Sequence, residues 1–162
     1  MDESGLLYKM VVVSDTHHNI DNITKIIPVI NSADYFVYCG DGVADIMMLR
    51  GSILVPIVMV KGNTDVESHL SDTATVTLGG TKALISHGDR YEVKKDLKKL
   101  FVAASLAHCK LVFFGHTHQY IDRKVQGIHF INPGSLYNGS YALVASNGAE
   151  FISKQHFVTE LP

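Results

Sequence analysis

The chain has 162 residues, of which 46% are hydrophobic and 19% charged, the composition of a single globular domain over 1–162 and not of a disordered segment. Its net charge of −2 gives no electrostatic footprint for nucleic acid or an anionic membrane surface, and the basic cluster from Lys94 to Lys99 reads as the solvated face of a helix. Cys39 and Cys109 both adjoin apolar strands and read as buried free thiols in a reducing compartment. Without a signal-peptide pattern or an apolar run of bilayer length, the expectation is a soluble cytoplasmic protein with a loose start over residues 1–7.

The first half alternates strand and helix. Strand Tyr8–Val13 precedes a helix over Asp21–Ile30, where Ile23, Ile26, Ile27 and Ile30 recur at helical spacing. Asn19 or Asp21 caps it, and Pro28 predicts a kink or an early end. A strand at Tyr35–Tyr38, a short helix over Val43–Leu49 and a strand at Leu54–Val60 complete a β-α-β-α-β order, which implies a largely parallel sheet with right-handed crossovers.

The second half is richer in strands. Thr75–Leu78 and Lys82–Ser86 flank Gly79-Gly80, a hairpin turn signal. A helix is predicted over Val93–Ala107, followed by strands at Leu111–Phe114, Tyr120–Val125, Ile128–Ile131, Tyr141–Ala145 and Glu150–His156. Gly127, Pro133-Gly134 and Asn147-Gly148 punctuate them. The pattern predicts two packed sheets with helices outside. Apolar strand residues in the last third offer a face for a homodimer or higher homo-oligomer.

Five apolar runs end on residues that bind metals. Met10–Val13 leads to Asp15 and His17, Phe36–Cys39 to Asp41, Ile57–Val60 to Asn63, Ala83–Ile85 to His87, and Leu111–Phe114 to His116 and His118. A lone histidine after a strand is more often a hydrogen-bonded structural residue, and a lone Asp between glycines more often a turn residue. Five strand ends of this kind together outweigh those readings. Carboxylate, amide and imidazole donors without thiolate suit manganese first, with zinc, iron, nickel or cobalt as alternatives. Seven ligands exceed the need of one ion but serve two if Asp41 gives an oxygen to each. Two ions about 3.5–4 Å apart clamp a phosphate and acidify a bound water, which points to phosphate ester hydrolysis.

The other histidines differ in promise. His18 and His69 are near enough to these motifs to assist binding or proton transfer, His108 sits at a helix end where the dipole favours it, His156 reads as surface, and His129 carries no assigned role.

These motifs resemble the calcineurin-like metallophosphoesterase superfamily: Asp15-x-His17, Gly40-Asp41, Gly62-Asn63, His87-Gly88 and Gly115-His116-x-His118, with Asn132-Pro133-Gly134-Ser135 similar to its closing motif. Gly-Asn-Thr-Asp at 62–65 and the short length look most like the small YfcE-like phosphodiesterases. The resemblance implies an α/β fold in four layers, an α-β-β-α sandwich of two mixed β-sheets flanked by helices. It implies Asp15, His17, Asp41 and His118 on one metal and Asp41, Asn63, His87 and His116 on the other. Asp41, Asn63 and His116 form the implied catalytic set, a bridging hydroxide the nucleophile, and a small phosphoester the substrate.

Two departures stand out. Many relatives carry His directly after the motif Asn, where this chain has Thr64; loss of that general acid costs most with unactivated alkoxide leaving groups and favours aryl diesters. His18 stands where many relatives have Gly. The competing readings are a phosphomonoesterase or nucleotidase, and a protein-binding scaffold like the superfamily's retromer subunit.

Overall fold

The computed structural model describes residues 8–147 and 150–161. The expected loose start at 1–7 and the Gly148 half of the expected turn lie outside the described residues. Among the described residues ten strands and three α-helices follow in chain order: β1 (Tyr8–Val13), α1 (Ile20–Asn31), β2 (Tyr35–Tyr38), α2 (Val43–Met48), β3 (Ile57–Met59), β4 (Thr73–Leu78), β5 (Thr81–Ser86), α3 (Lys98–Leu106), β6 (Leu111–Phe113), β7 (Tyr120–Val125), β8 (Ile128–Pro133), β9 (Ser140–Ser146) and β10 (Phe151–Phe157).

They form two mixed five-stranded sheets, ordered β10-β9-β1-β2-β3 and β4-β5-β6-β8-β7. In the first, β1, β2 and β3 run parallel while β9 and β10 pair antiparallel. In the second, β5, β6 and β8 run parallel between antiparallel edges β4 and β7.

Strand alternation sorts the core into layers. Met10 and Val12 of β1 face inward to join Ile85, Phe113 and Ile131 between the sheets. Val11 and Val13 face outward against Ile23, Ile26 and Ile30 of α1 and Val43 and Ile46 of α2. On the far side Leu84, Val112 and Phe130 pack on Leu100 and Ala104 of α3. The expected four-layer α-β-β-α sandwich is therefore the fold. Among the described residues no helix is long and apolar enough to cross a membrane.

The local differences have physical causes. Helix α1 runs past Pro28 to Asn31: burying Ile30 completely on the sheet outweighs one lost backbone hydrogen bond. Asn19 caps it, its side-chain oxygen accepting from the Asn22 N–H at 3.1 Å. Strand β3 is shorter than Leu54–Val60, because Pro56 restricts Val55 and offers no N–H to the ladder. The helix predicted from Val93 begins only at Lys98. Lys94/Lys98 and Lys95/Lys99 repel at i,i+4, and Asp96 Oδ1 accepts the Lys98 N–H at 3.0 Å in a local turn. Cys39 and Cys109 are buried and free, as expected. Of the apolar residues expected to offer a dimer face, Ile152 and Phe157 on β10 are exposed.

Candidate metal centre

The parallel strands β1, β2 and β3 of one sheet and β5 and β6 of the other release their chains into loops that meet. The Asp15 N–H donates to the Gly40 carbonyl (2.9 Å), and the Gly115 N–H to the His87 carbonyl (2.9 Å). The sheets are joined by the His116 N–H, which donates to Asp15 Oδ2 at 3.1 Å. Asn132 in turn donates to the Gly115 carbonyl and the Thr117 hydroxyl, both at 3.0 Å, and Ser135 Oγ donates to the Asp15 carbonyl at 2.9 Å.

Two clusters of ligand atoms result: Asp15, His17 and His118, and Asp41, His87 and His116, each within 4.8 Å. Asp15 is fully buried. Its Oδ2 accepts from Ser14 Oγ at 2.6 Å, but its Oδ1 has no hydrogen-bond partner among the described residues. Around that oxygen stand Nε2 of His17 and of His118, both at 3.3 Å, and Nε2 of His87 at 3.7 Å. Asp41 Oδ2 joins the clusters, 3.1 Å from His87 Nε2 and 3.8 Å from His17 Nε2.

The imidazoles turn nitrogen toward nitrogen: His17 and His118 Nε2 are 3.3 Å apart, His87 Nε2 and His116 Nδ1 3.2 Å apart. His87 Nδ1 donates to the Cys39 carbonyl at 2.8 Å, so in the neutral ring Nε2 is the bare nitrogen and faces the Asp41 carboxylate. A lone pair against a carboxylate needs a cation or a proton between them. An orphaned buried carboxylate oxygen and a tautomer fixed by a carbonyl are what a metal site requires, so the donor set fits divalent ions.

Without metal, protons serve that need. Burial acts to raise the pKa of Asp41, but the hydrogen bond and charge of His87 and the Thr64 N–H outweigh it, bringing it down to about 2. Burial acts to lower that of His87, yet the carboxylates of Asp41 and Asp15 leave it raised. His116 is lowered, by burial first and then by the charges of His87 and Lys94.

The local backbone is strained where it delivers ligands. Asp15 (φ 57°), His17 (43°), His18 (70°), Asp41 (62°), His116 (70°) and His118 (61°) are six of the nine non-glycine residues at positive φ among the described residues. Each costs on the order of 1–3 kcal/mol and persists because the surrounding contacts impose it. Close approach dictates the adjoining glycines: a Cβ at Gly62 would lie 2.1 Å from Asp41 Oδ1, and one at Gly115 2.0 Å from Ser14 Oγ.

Six of the seven expected ligands thus come together, and Asn63 sits exposed on the loop after β3. His18 lines a cavity with His17 and Asp41, its side chain 94% exposed and Nδ1 3.8 Å from Asp45 Oδ1. His69 is exposed between β3 and β4. His108 follows α3 at φ 58°, and His156 stacks on Tyr141 and pairs with Glu160. His129 is buried against Asp122, 2.5 Å from its Oδ1.

Two acids that the sequence motifs left without a role support the centre. Asp65 accepts the N–H groups of Asp41 and Gly62 on Oδ2 (both 2.8 Å) and of Gly42 and Val43 on Oδ1 (2.9 and 3.0 Å). Asp45 is buried and accepts from the Thr16 hydroxyl at 2.5 Å and the His18 N–H at 2.9 Å. The available signal was position: Asp65 follows Gly62 by three residues and Asp45 follows Gly42 by three, each where a turn or first helical turn faces back on the metal loop.

Residues 8–146 match the calcineurin-like phosphoesterase superfamily domain. The chain belongs to that superfamily. It is 27% identical over 143 residues to phosphodiesterase MJ0936 of Methanocaldococcus jannaschii, covering 78% of this chain and 82% of that protein. A solved protein of Streptococcus pneumoniae TIGR4 described as a predicted phosphoesterase superposes with a TM-score of 0.82 at 23% identity, covering 94% of this chain and 90% of the other. A single mutant of Vps29 from Entamoeba histolytica superposes with a TM-score of 0.73 at 20% identity, covering 92% and 98%. At these identities the two structural likenesses speak for the fold alone.

Proposed function

We propose that this superfamily member is a two-metal phosphodiesterase. The observation that carries the reading is Asp15 Oδ1, buried without a hydrogen-bond partner among the described residues and faced by nitrogens of three histidines. Asp15, His17 and His118 would hold one ion, and His87, His116 and Asn63 the other, with Asp41 shared. Manganese is the first candidate, then zinc, iron, nickel or cobalt. When bound, such a pair supplies an acidified water and neutralises charge on the phosphoryl oxygens.

The protein's own groups prepare that chemistry. Ser14 and the His116 N–H hold Asp15 Oδ2 and so turn Oδ1 to the centre. The Cys39 carbonyl fixes the His87 ring, and the Thr64 N–H holds Asp41 Oδ1 at 2.9 Å, which leaves Oδ2 to face His87 and His17. Thr64 offers no titrating group to the departing alcohol, which favours aryl and other activated diesters. The name of the M. jannaschii relative supports diesters over monoesters. Two buried free thiols suit a reducing compartment such as the cytoplasm.

Purified protein with manganese should hydrolyse bis-p-nitrophenyl phosphate, and Asp41→Asn should abolish turnover while the circular dichroism spectrum stays native. Absence of turnover with every divalent metal across mono- and diesters would sink the enzyme reading. The likeness to Vps29 in fold keeps a binding scaffold as the second reading. Elemental analysis separates the two: about two transition-metal ions per chain support the enzyme, and a metal-free centre in metal-replete protein supports the scaffold.

A further inference from the structure

A cavity of about 480 Å³ opens beside Asp41 and runs from His17 and His18 to Ser68. Its walls are the first turn of α2, through Val43 and Ala44, and Val66, which is 83% exposed on the facing loop. Among the described residues no lysine or arginine lines it. Asp45 and Asp65 reach it, but their oxygens are engaged with Thr16, His18 and the backbone of the metal loops. Glu67 differs: it is exposed and has no hydrogen-bond or ion-pair partner among the described residues.

We infer that this cavity receives one ester arm of the substrate as an uncharged, largely apolar group of aryl or nucleoside size, and that Glu67 turns away arms bearing a further phosphate or carboxylate. This rests on the phosphodiesterase reading, since Asp41 locates the reacting phosphorus at the cavity's inner end. The physical reason is a difference of affinities. Valine and alanine methyl groups favour an apolar arm through burial, while an anionic arm meets an unpaired carboxylate with no lysine or arginine in the lining to offset it.

The test uses two symmetric diesters, bis(3-carbamoyl-4-nitrophenyl) and bis(3-carboxy-4-nitrophenyl) phosphate, with wild type, Glu67→Gln and Glu67→Lys. Intrinsic leaving-group reactivity cancels when the ratio of the two kcat/KM values is compared between variants. Exchanging a negative for a positive charge in the cavity's lining should shift that ratio toward the carboxylate by roughly tenfold, with Glu67→Gln between and the shift shrinking as salt is added. The two free nitrophenols, titrated against the full chain while the Val66 methyl NMR signals are followed, read the same preference without turnover. Equal ratios in all three proteins, or equal phenol affinities in wild type and Glu67→Lys, would overturn the inference. Loss of turnover with an intact phenol preference would instead remove the phosphodiesterase reading and leave an apolar, anion-excluding pocket.

Discussion

His87 donates its Nδ1–H to the carbonyl of Cys39 at 2.8 Å, and that one bond decides which nitrogen the centre receives. The bare Nε2 then faces Asp41, and in the metal-free protein a shared proton relieves the contact. The raised pKa of His87 therefore stabilises the metal-free fold below the unfolded-state value of about 6.5, and that contribution is lost as pH rises through the folded value. Asp41 behaves oppositely: its stabilisation is present above the ordinary carboxylate range and is lost as pH falls through about 2. Metal must displace the His87 proton. The rise in Tm on adding manganese should therefore be larger at pH 8 than at pH 6, as read by differential scanning calorimetry at both pH values. An equal or smaller rise at pH 8 would mean that His87 is not a ligand.

Gly62 and Asp41 set a steric prediction. A methyl group at residue 62 would lie 2.1 Å from Asp41 Oδ1 and 2.7 Å from its backbone N, so the carboxylate has to move. Gly62→Ala should weaken metal binding by about 10–100-fold, the usual scale when the support of a ligand is disturbed. Gly51→Ala is the control, because a Cβ there meets nothing within 4 Å. Isothermal titration with manganese on both variants checks it; matching affinities would show that Asp41 is not held where the metal binds.

Asp65 makes a prediction about stability. Its two oxygens accept four backbone N–H groups, from the loops after β2 and β3 and from the first residue of α2, so it ties together the two strand ends that carry Asp41 and Asn63. Asp65→Ala leaves those donors without a charged acceptor and should cost about 3 kcal/mol. For a chain of this length that is a fall of roughly 6–12 °C in Tm. Asp65→Asn keeps one acceptor oxygen and should lose about half as much. Thermal denaturation of both variants reads the order, and a harmless Asp65→Ala would show the knot to be dispensable.

The ligands were legible because each follows an apolar run, and a run of alternating buried residues ends where its strand ends. Layering was legible for the same reason, as Val11 and Val12 of β1 illustrate by facing opposite cores. The supports were not. Asp65, Asp45 and the Cys39 carbonyl act through bonds to backbone and side-chain groups that lie mostly far away in sequence, which leave no periodic trace. The false start of α3 at Val93 has a related origin: apolar spacing over Val93, Leu97, Leu100 and Phe101 fits a helix, but Asp96 holds a local turn and the lysine pairs 94/98 and 95/99 repel, so the helix begins at Lys98.

Thr64 invites the complementary experiment. It is exposed, and its backbone N–H donates to Asp41 Oδ1 at 2.9 Å. Replacing this exposed side chain leaves the backbone N–H free to keep that bond. Thr64→His would add an imidazole beside the cavity that receives an ester arm, able to protonate a departing oxygen. Positioned general acids contribute about 10²–10⁴-fold, and most where the leaving group is a poor one. The variant should therefore raise kcat/KM for an alkyl diester by at least about tenfold, with little change for bis-p-nitrophenyl phosphate. Its alkyl pH profile should acquire a falling alkaline limb as the new imidazole deprotonates. An equal rise for both esters would indicate altered binding, and no rise for either would mean that the proton reaches the leaving oxygen by a route that residue 64 does not touch.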